Sequence, residues 1–166
     1  MSFTADTLDM SSPARKQEAY ETLHAQVTSL LQGERDRVAN LAQFSALVFQ
    51  SLPSLNWAGF YLAQGEELVL GPFQGKVACV RIPFGRGVCG TCAATLQPQV
   101  VKDVEAFPGH IACDSASRSE LVLPLMAEGR LLGVLDLDSP ELARFDEQDA
   151  QGLQRMLEVL VAGTDW

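Results

Sequence analysis

The chain has 166 residues, of which 47% are hydrophobic and 20% are charged, and its formal net charge is −9. This length and composition predict one globular domain that needs no disulfide bonds for its stability. The acidic balance argues against nucleic acid or an anionic membrane surface as the main partner, because both require a basic footprint.

The sequence also bears on the compartment of the protein. No apolar run approaches the ~20 residues that a membrane-spanning helix requires. The polar N-terminus lacks the basic start and the apolar core of a secretory signal. We therefore expect a cytoplasmic protein, whose four cysteines are free, metal-bound or catalytic rather than structural disulfides.

Two helices are predicted in the N-terminal part of the chain. Residues 1–12 have the character of a flexible leader, and Pro13 suits the first position of a helix. Apolar residues then recur at helical spacing until Gly33. A second helix is predicted over residues 34–50, with Val38 on its apolar side.

The rest of the chain changes to strand-like spacing, with turn-forming residues between the segments. A glycine-rich turn leads into a short helix over residues 88–96, and a last helix spans residues 146–162. Residues 103–117 form a long ordered loop, and such loops often carry function. The predicted strands are residues 55–63, 66–70, 77–82, 99–101, 120–126 and 130–138.

The order of these elements predicts the fold class. The strands cluster and the longer helices lie at the ends of the chain, which is typical of an α+β fold. We expect a single domain over residues 13–166, built on a central, mainly antiparallel sheet. Helices would cover one face of the sheet, and loops that cover a ligand would lie on the other.

Three cysteines are candidates for chemistry, because they lie in or beside turns and loops. Cys79 is in a predicted strand, Cys89 begins the short helix, and Cys113 is in the long loop, three residues after His110. A helix N-terminus lowers the pKa of a thiol, which predicts a reactive Cys89. The alternative for each of them is a buried, unreactive side chain.

Cys89 and Cys92 also form a CxxC pair, which can be a redox motif or half of a zinc site. The pair lacks the strand–helix–strand context of a thioredoxin motif. A zinc site would need a second close pair, and only Cys79, His110 and Cys113 could complete it. We therefore predict no metal site and assign Cys92 to packing.

Three carboxylates are expected to lie together. Asp136 and Asp138 are two residues apart on one strand, so both point to the same face. Glu120 begins the neighbouring strand and lies near them if the two strands form a hairpin. Such a trio suits an ammonium group, and mutual repulsion raises the pKa of one member so that it can donate a hydrogen bond. A strand end that faces solvent is the alternative.

Aromatic residues offer a wall for a ligand. Trp57, Gly59 and Tyr61 share one face of the first strand. The two rings are either ordinary core residues or the walls of a pocket with open space above Gly59. Together with the acids and thiols, such a pocket would hold a small molecule that is cationic at one end and oxidised so that a thiolate can attack it.

Four stretches of the sequence resemble a known family. They are NWAGFYL (56–62), LGPFQGKVACVRIPFGRGVCGT (70–91), DVEAFPGHIACDSASRSE (103–120) and GVLDLDSP (133–140). On these stretches the sequence closely resembles the free methionine-(R)-sulfoxide reductases, which are single GAF domains. The gaps between Cys79, Cys89 and Cys113 fit that family, whereas Cys92 is not part of its usual cysteine set.

The resemblance implies roles for the cysteines. Cys113 would attack the sulfoxide sulfur of free methionine sulfoxide and become a sulfenic acid, and Cys79 would then form a disulfide with it. Cys89 would assist in recycling or serve as an alternative disulfide partner. Thioredoxin would act as the external reductant, no cofactor would be bound, and the protein would be a homodimer.

The resemblance also implies which side chains surround the substrate. Trp57 and Tyr61 would wall its methyl group and sulfur. Glu120, Asp136 and Asp138 would bind its ammonium group and the sulfoxide oxygen. Two other functions stay open: a non-catalytic GAF module that senses a small ligand or redox state, and a zinc-bound structural protein.

Overall fold

The structure is a computed structural model that describes residues 6–111 and 113–166. No helix within these residues is long and apolar enough to cross a membrane. The helices are α1 (Pro13–Leu30), α2 (Arg37–Ser51), α3 (Gly87–Thr95) and α4 (Glu147–Ala162), with a short 3-10 helix at Val104–Ala106. The strands are β1 (Trp57–Gln64), β2 (Glu67–Gly75), β3 (Arg81–Pro83), β4 (Gln99–Val101), β5 (Ser119–Ala127) and β6 (Arg130–Ser139).

The strands form one sheet in the order β3-β2-β1-β6-β5-β4, and each neighbouring pair is antiparallel. β5 and β6 form the predicted hairpin, in which Glu120 lies opposite Asp138. On its other side β6 pairs with β1, so that Trp57 lies opposite Asp138 and Gly59 opposite Asp136. The α+β prediction is confirmed, and three central strands bring the acids and an aromatic ring into adjacent rows.

Alternation along β6 separates two hydrophobic cores. Leu135 and Leu137 point into the larger core, which α1, α2 and α4 cover. Phe44 of α2 and Phe60 of β1 meet there edge to face, with ring centroids 5.4 Å apart. Both rings are fully buried, so this face of the sheet provides most of the apolar burial that stabilises the fold.

The opposite face of the sheet is covered by α3 and by loops. Val88 and Cys92 of α3 belong to one buried cluster with Val122 of β5 and Val134 of β6. Beyond this smaller core, the covering segments are loops rather than helices. A cavity lies on this face, between the sheet and the loops that cover it.

The third strand is shorter than predicted. Residues 76–80 form a connection instead of a strand, and β3 begins only at Arg81. Val77 and Val80 are 89% and 61% exposed, so the apolar residues that favoured a strand do not mark a buried face. Within this connection Cys79 is bonded to Cys113 in the long loop, and the Val80 carbonyl oxygen accepts a hydrogen bond from the Leu70 backbone N–H (2.9 Å).

The second helix begins at Arg37 rather than at residue 34. The Asp36 side chain accepts a hydrogen bond from the Ala39 backbone N–H (2.8 Å) and caps the helix. The Glu34 side chain accepts from the next two backbone N–H groups and holds the preceding turn outside the helix. Val38 was predicted to face the core, but it lies in the first turn and is 62% exposed.

The N-terminal leader is described only from residue 6, and its residues 1–5 lie outside the described residues. The backbone N–H of Leu8 donates to the Ser51 carbonyl oxygen (2.8 Å). Leu8 and Met10 pack against the larger core. This segment therefore contacts α2 before α1 begins.

A buried polar network joins α1 to α4. The Asp149 carboxylate is fully buried and accepts hydrogen bonds from the Tyr20 hydroxyl (2.7 Å) and the Lys16 ammonium (2.6 Å). Burial and the charge of Asp149 raise the pKa of Tyr20. A side chain at Gly152 would overlap the Tyr20 ring, so this glycine lets the two helices approach closely.

Replacing Tyr20 with phenylalanine should lower the free energy of unfolding by about 1–3 kcal/mol, because the buried Asp149 carboxylate loses a hydrogen-bond donor. Urea unfolding of the two proteins measures the difference. The exposed change Glu21→Gln on the same helix should shift it by less than about 0.5 kcal/mol. Equal effects in both variants would contradict the role assigned to Tyr20.

Candidate active site

A cavity of about 40 Å³ lies between the sheet and its covering loops, on the side of the smaller core. Of the eight side chains predicted for the site, seven line this cavity and the eighth, Cys79, is bonded to one of them. The seven are Trp57, Tyr61, Cys89, Cys113, Glu120, Asp136 and Asp138. They come from β1, α3, the long loop, β5 and β6.

Cys79 and Cys113 are joined by a disulfide bond, with their Cα atoms 5.6 Å apart. The bond ties the connection between β2 and β3 to the long loop that precedes β5. Both cysteines are half-buried, whereas Cys89 and Cys92 are buried free thiols. An oxidised pair therefore borders the cavity and two reduced thiols lie deeper.

The two aromatic residues hold the segment that carries Cys79. The Trp57 indole N–H donates to the Lys76 carbonyl oxygen (3.1 Å), and the Tyr61 hydroxyl donates to the Cys79 carbonyl oxygen (3.0 Å). Their rings stack with centroids 5.8 Å apart, and Phe73 stacks on the outer side of Trp57 at 5.1 Å. The aromatic wall and the position of Cys79 thus depend on the same two side chains.

The space above Gly59 is occupied rather than open. A Cβ at Gly59 would overlap the Phe73 side chain of β2. The pairing of β1 with β2 shifts by a bulge between Gly59 and Tyr61, which brings the two strands together there. The glycine is needed for this close approach. Trp57 and Tyr61 do line the cavity, but the alternative that left open space above Gly59 is wrong.

Asn56 holds the loop that carries Cys113. Its side-chain amide donates to an Asp114 carboxylate oxygen (3.0 Å) and to the Ser117 hydroxyl (3.0 Å). Asp114 also accepts from the Ala116 backbone N–H (2.9 Å), and this bond lowers the pKa of Asp114. Sequence reasoning did not assign Asn56 or Asp114 to the site, although the Asp-x-Ala turn pattern was visible.

The three carboxylates meet as the hairpin pattern predicted. Glu120 and Asp136 are 6% and 5% exposed. Burial raises the pKa of all three, and the charge of Asp136 raises the pKa of Glu120 and Asp138 further. Among the described residues, one Asp136 oxygen is buried without a hydrogen-bond partner. We call these three side chains the acidic floor of the cavity; their arrangement suits a cationic group that donates a hydrogen bond.

Cys89 does not have the low pKa that its helix position predicted. Its Sγ lies 3.8 Å from a Glu120 carboxylate oxygen, and burial together with Asp136 and Glu120 raises the pKa of the thiol. These effects on the pKa of Cys89 outweigh the effect of the helix dipole.

The Cys89 Sγ and one carboxylate oxygen each of Glu120 and Asp136 lie within 4.8 Å of one another, a spacing at which these three atoms could bind a metal ion. Burial raises the pKa of Cys92 to about 12.

His110 lies beside the carboxylates and was left out of the predicted site. Its Nε2 is 3.8 Å from a Glu120 carboxylate oxygen, and it lines the cavity. Burial lowers its pKa, which favours the neutral ring at neutral pH. The three-residue spacing from His110 to Cys113 was the signal that could have included it.

Comparison with known proteins places this site in a family. The GAF domain family profile matches residues 17–162. A free methionine-R-sulfoxide reductase from Escherichia coli (strain K12) is 52% identical over 154 residues, which cover 91% of this chain and 93% of that protein. The chain belongs to the free methionine-R-sulfoxide reductases. The family resemblance seen in the sequence is confirmed.

Other members of the reductase family support the assignment. A free methionine-R-sulfoxide reductase from Saccharomyces cerevisiae is 43% identical over 164 residues, which cover 94% of this chain and 91% of the relative. The X-ray structure of the reductase from Neisseria meningitidis in complex with its substrate superposes with a TM-score of 0.87. That match has 45% identity and covers 97% of this chain and 95% of the other.

Removing the Tyr61 hydroxyl should weaken formation of the disulfide. In Tyr61→Phe the Cys79 carbonyl loses its donor, so Cys79 is held less well for reaction with Cys113. Loss of one hydrogen bond predicts an equilibrium constant for the disulfide that is about 2–10-fold smaller. Thiol alkylation and mass spectrometry in a glutathione redox buffer measure it. Tyr20→Phe, on the far face of the sheet, is the matched control and should leave the constant unchanged.

The acidic floor should make stability fall as pH rises. A carboxyl group whose pKa is raised by folding binds its proton more tightly in the folded state, so folding weakens as pH rises from the ordinary glutamate range toward the raised pKa. Glu120→Gln removes this group and should increase the free energy of unfolding at pH 7 by about 0.5–2 kcal/mol.

Urea unfolding across pH, with the disulfide kept intact, measures this effect. Glu120→Gln should show a flatter decline of stability between mildly acidic and neutral pH than the unmodified protein. The exposed change Glu158→Gln is the control and should leave the profile unaltered. A Glu120→Gln profile that runs parallel to the unmodified one would refute the assigned charge effect.

Proposed function

We propose that the protein reduces free L-methionine-(R)-sulfoxide to L-methionine, using Cys113 as the nucleophile and Cys79 as its disulfide partner. The observation that carries the proposal is the Cys79–Cys113 bond at a cavity with aromatic walls and an acidic floor. The names of two curated relatives support the same substrate, since the proteins from Escherichia coli and Saccharomyces cerevisiae are called free methionine-R-sulfoxide reductases.

The first chemical step is attack by the Cys113 thiolate on the sulfoxide sulfur. The sulfoxide oxygen takes up a proton as the bond between the Cys113 sulfur and the substrate sulfur forms. This protonation makes the substrate sulfur more electrophilic. In the resulting adduct the hydroxyl passes from the substrate sulfur to Cys113: the bond between the two sulfurs and the substrate S–O bond break, and an S–O bond to Cys113 forms. Methionine leaves with an electron pair on its sulfur, and Cys113 is left as a sulfenic acid. Cys113 is thereby oxidised by two electrons and the substrate sulfur is reduced by two.

The second step is attack by Cys79 on the sulfenic acid. The S–O bond breaks, the oxygen leaves as water with the thiol proton, and the Cys79–Cys113 disulfide forms. The short distance between the two Cα atoms, 5.6 Å, supports this pairing. Cys89 is buried, and its Sγ contacts Glu120 instead. We therefore group Cys89 with the buried acids that can hold a proton, and we do not assign it to the first disulfide.

The carboxylates supply both binding and proton transfer. A protonated Glu120 can donate to the sulfoxide oxygen, since its pKa is raised by burial and by the charges of Asp136 and Asp138. The two aspartates attract the substrate ammonium, and the orphan Asp136 oxygen is a ready acceptor for one of its N–H groups. A methionine sulfoxide inside a peptide has no free ammonium, so this floor selects the free amino acid.

The aromatic residues bind the apolar end of the substrate. Trp57 and Tyr61 line the cavity beside Cys113, where stacked rings suit a methyl group and a polarisable sulfur. No step in this chemistry requires a bound cofactor. We propose thioredoxin as the external reductant of the disulfide, in a reducing cytoplasm. An acidic cavity repels phosphate, which disfavours the alternative of a nucleotide-sensing module.

Substrate-dependent oxidation of NADPH tests the proposal, with thioredoxin, thioredoxin reductase and L-methionine-(R)-sulfoxide. Cys113→Ser should lower turnover by roughly 10³-fold or more, as loss of the nucleophile does in other covalent catalysts. Cys92→Ser is the matched control and should keep most of the activity, because Cys92 does not line the cavity. N-acetylmethionine sulfoxide, which lacks the ammonium, should be a poor substrate.

Two results would count against it. Undiminished turnover in Cys113→Ser would refute the nucleophile. No NADPH loss from fully reduced protein with thioredoxin, together with no formation of methionine when dithiothreitol is the reductant, would refute the reaction itself.

A further inference from the structure

We infer that exposed residues around the Cys79–Cys113 bond form the docking surface for the protein dithiol that reduces it. We call this surface the disulfide rim and define it by Lys76, Val77, Val80, Arg86 and Ile111, all of which are exposed. The inference rests on the proposed function, because only a catalytic disulfide needs repeated reduction.

Apolar exposure is concentrated at the rim. Six large hydrophobic side chains are exposed within the part of the chain that the structure describes, and half of them flank the two cysteines. Val77 and Val80 are 89% and 61% exposed on either side of Cys79, and Ile111 is 39% exposed near Cys113. The other three are Val38, Leu96 and Leu142.

Clustered apolar exposure requires an explanation that single exposed residues do not. Val77 and Ile111 line the same cavity, and the disulfide holds their two segments together. Residues 76–80 do not form a strand, although their composition favours one, and the Val77 and Val80 side chains remain in solvent. A partner protein that covers Val77 and Val80 would bury the apolar surface that this fold leaves exposed.

The charge of the rim complements an acidic or neutral partner. Lys76 and Arg86 are exposed there, in a protein whose formal net charge is −9. The acid nearest in sequence to Cys113 is Asp114, which is half-buried and is held by Asn56. Basic groups on an otherwise acidic protein steer a complementary surface to this place.

The chemistry requires a dithiol at this position. A thiolate of the partner attacks one sulfur of the Cys79–Cys113 bond, forms a mixed disulfide and releases the other cysteine as a thiolate. The second thiol of the partner then attacks the mixed disulfide and frees the remaining cysteine. Two electrons and two protons pass to the reductase, and the partner leaves with its own disulfide.

Comparing a protein reductant with a small one separates docking from chemistry. Val80 is the residue to change, because it lies on the rim but does not line the cavity. Val80→Asp should lower thioredoxin-supported turnover at limiting thioredoxin by about tenfold, the usual effect of losing a central apolar contact. Turnover supported by dithiothreitol should stay within about twofold of the unmodified protein, because a small dithiol needs no docking surface.

Val38→Asp is the matched control, since Val38 is 62% exposed and lies on α2, away from the disulfide. It should leave both rates unchanged. A second pair of variants tests the charge: Lys76→Glu should lower only the thioredoxin-supported rate, and Lys102→Glu should lower neither. Raising the ionic strength should also slow only the reaction with thioredoxin.

Three results would overturn the docking surface. One is an equal fall of both rates in Val80→Asp, which would place Val80 in the chemistry. Another is no change in Val80→Asp and Lys76→Glu. The third is a Val80→Asp protein with an altered oligomeric state, which would make the rim a contact between two copies. Turnover with dithiothreitol tests the proposed function separately, so the two failures can be told apart.

Discussion

The register between β1 and β6 is the constraint on which the site depends. It places Trp57 opposite Asp138 and Gly59 opposite Asp136, while the hairpin places Glu120 opposite Asp138. A slip of one residue along β6 would turn Leu135 and Leu137 toward the cavity and the aspartates into the larger core. The apolar packing of one face thus fixes the position of every acid on the other.

Buried carboxylates have different surroundings on the two faces of the sheet. On the helical face, Asp149 is surrounded by donors from Tyr20 and Lys16, so its charge supports the fold. On the cavity face, Glu120 and Asp136 lie together, and the part of the chain that the structure describes places no charged donor within hydrogen-bond distance of them. The fold holds an unfavourable arrangement at one place because the larger core stabilises it from the other side.

The sequence predicted what depends on neighbours along the chain and missed what depends on distant contacts. The spacing of Asp136 and Asp138 sets their common face directly, and the hairpin follows from a short turn. The strand predicted at residues 77–82 is reduced to residues 81–83, and the segment before it is bonded to residue 113, a distant contact that local spacing does not show. The low pKa expected for Cys89 is wrong because burial, together with acids from two strands, raises the pKa of the thiol. Gly59 allows the close approach of β1 to Phe73 of β2.

The disulfide has a consequence for the order of events. It joins the two segments that cover the cavity and leaves about 40 Å³ inside, which is room for a few water molecules but not for an amino acid. In the proposed reaction, Cys113 can act again only after the disulfide has been reduced, because a sulfur in a disulfide is not a thiolate nucleophile. Reduction would therefore restore the nucleophile and release the two covering segments from each other in one event.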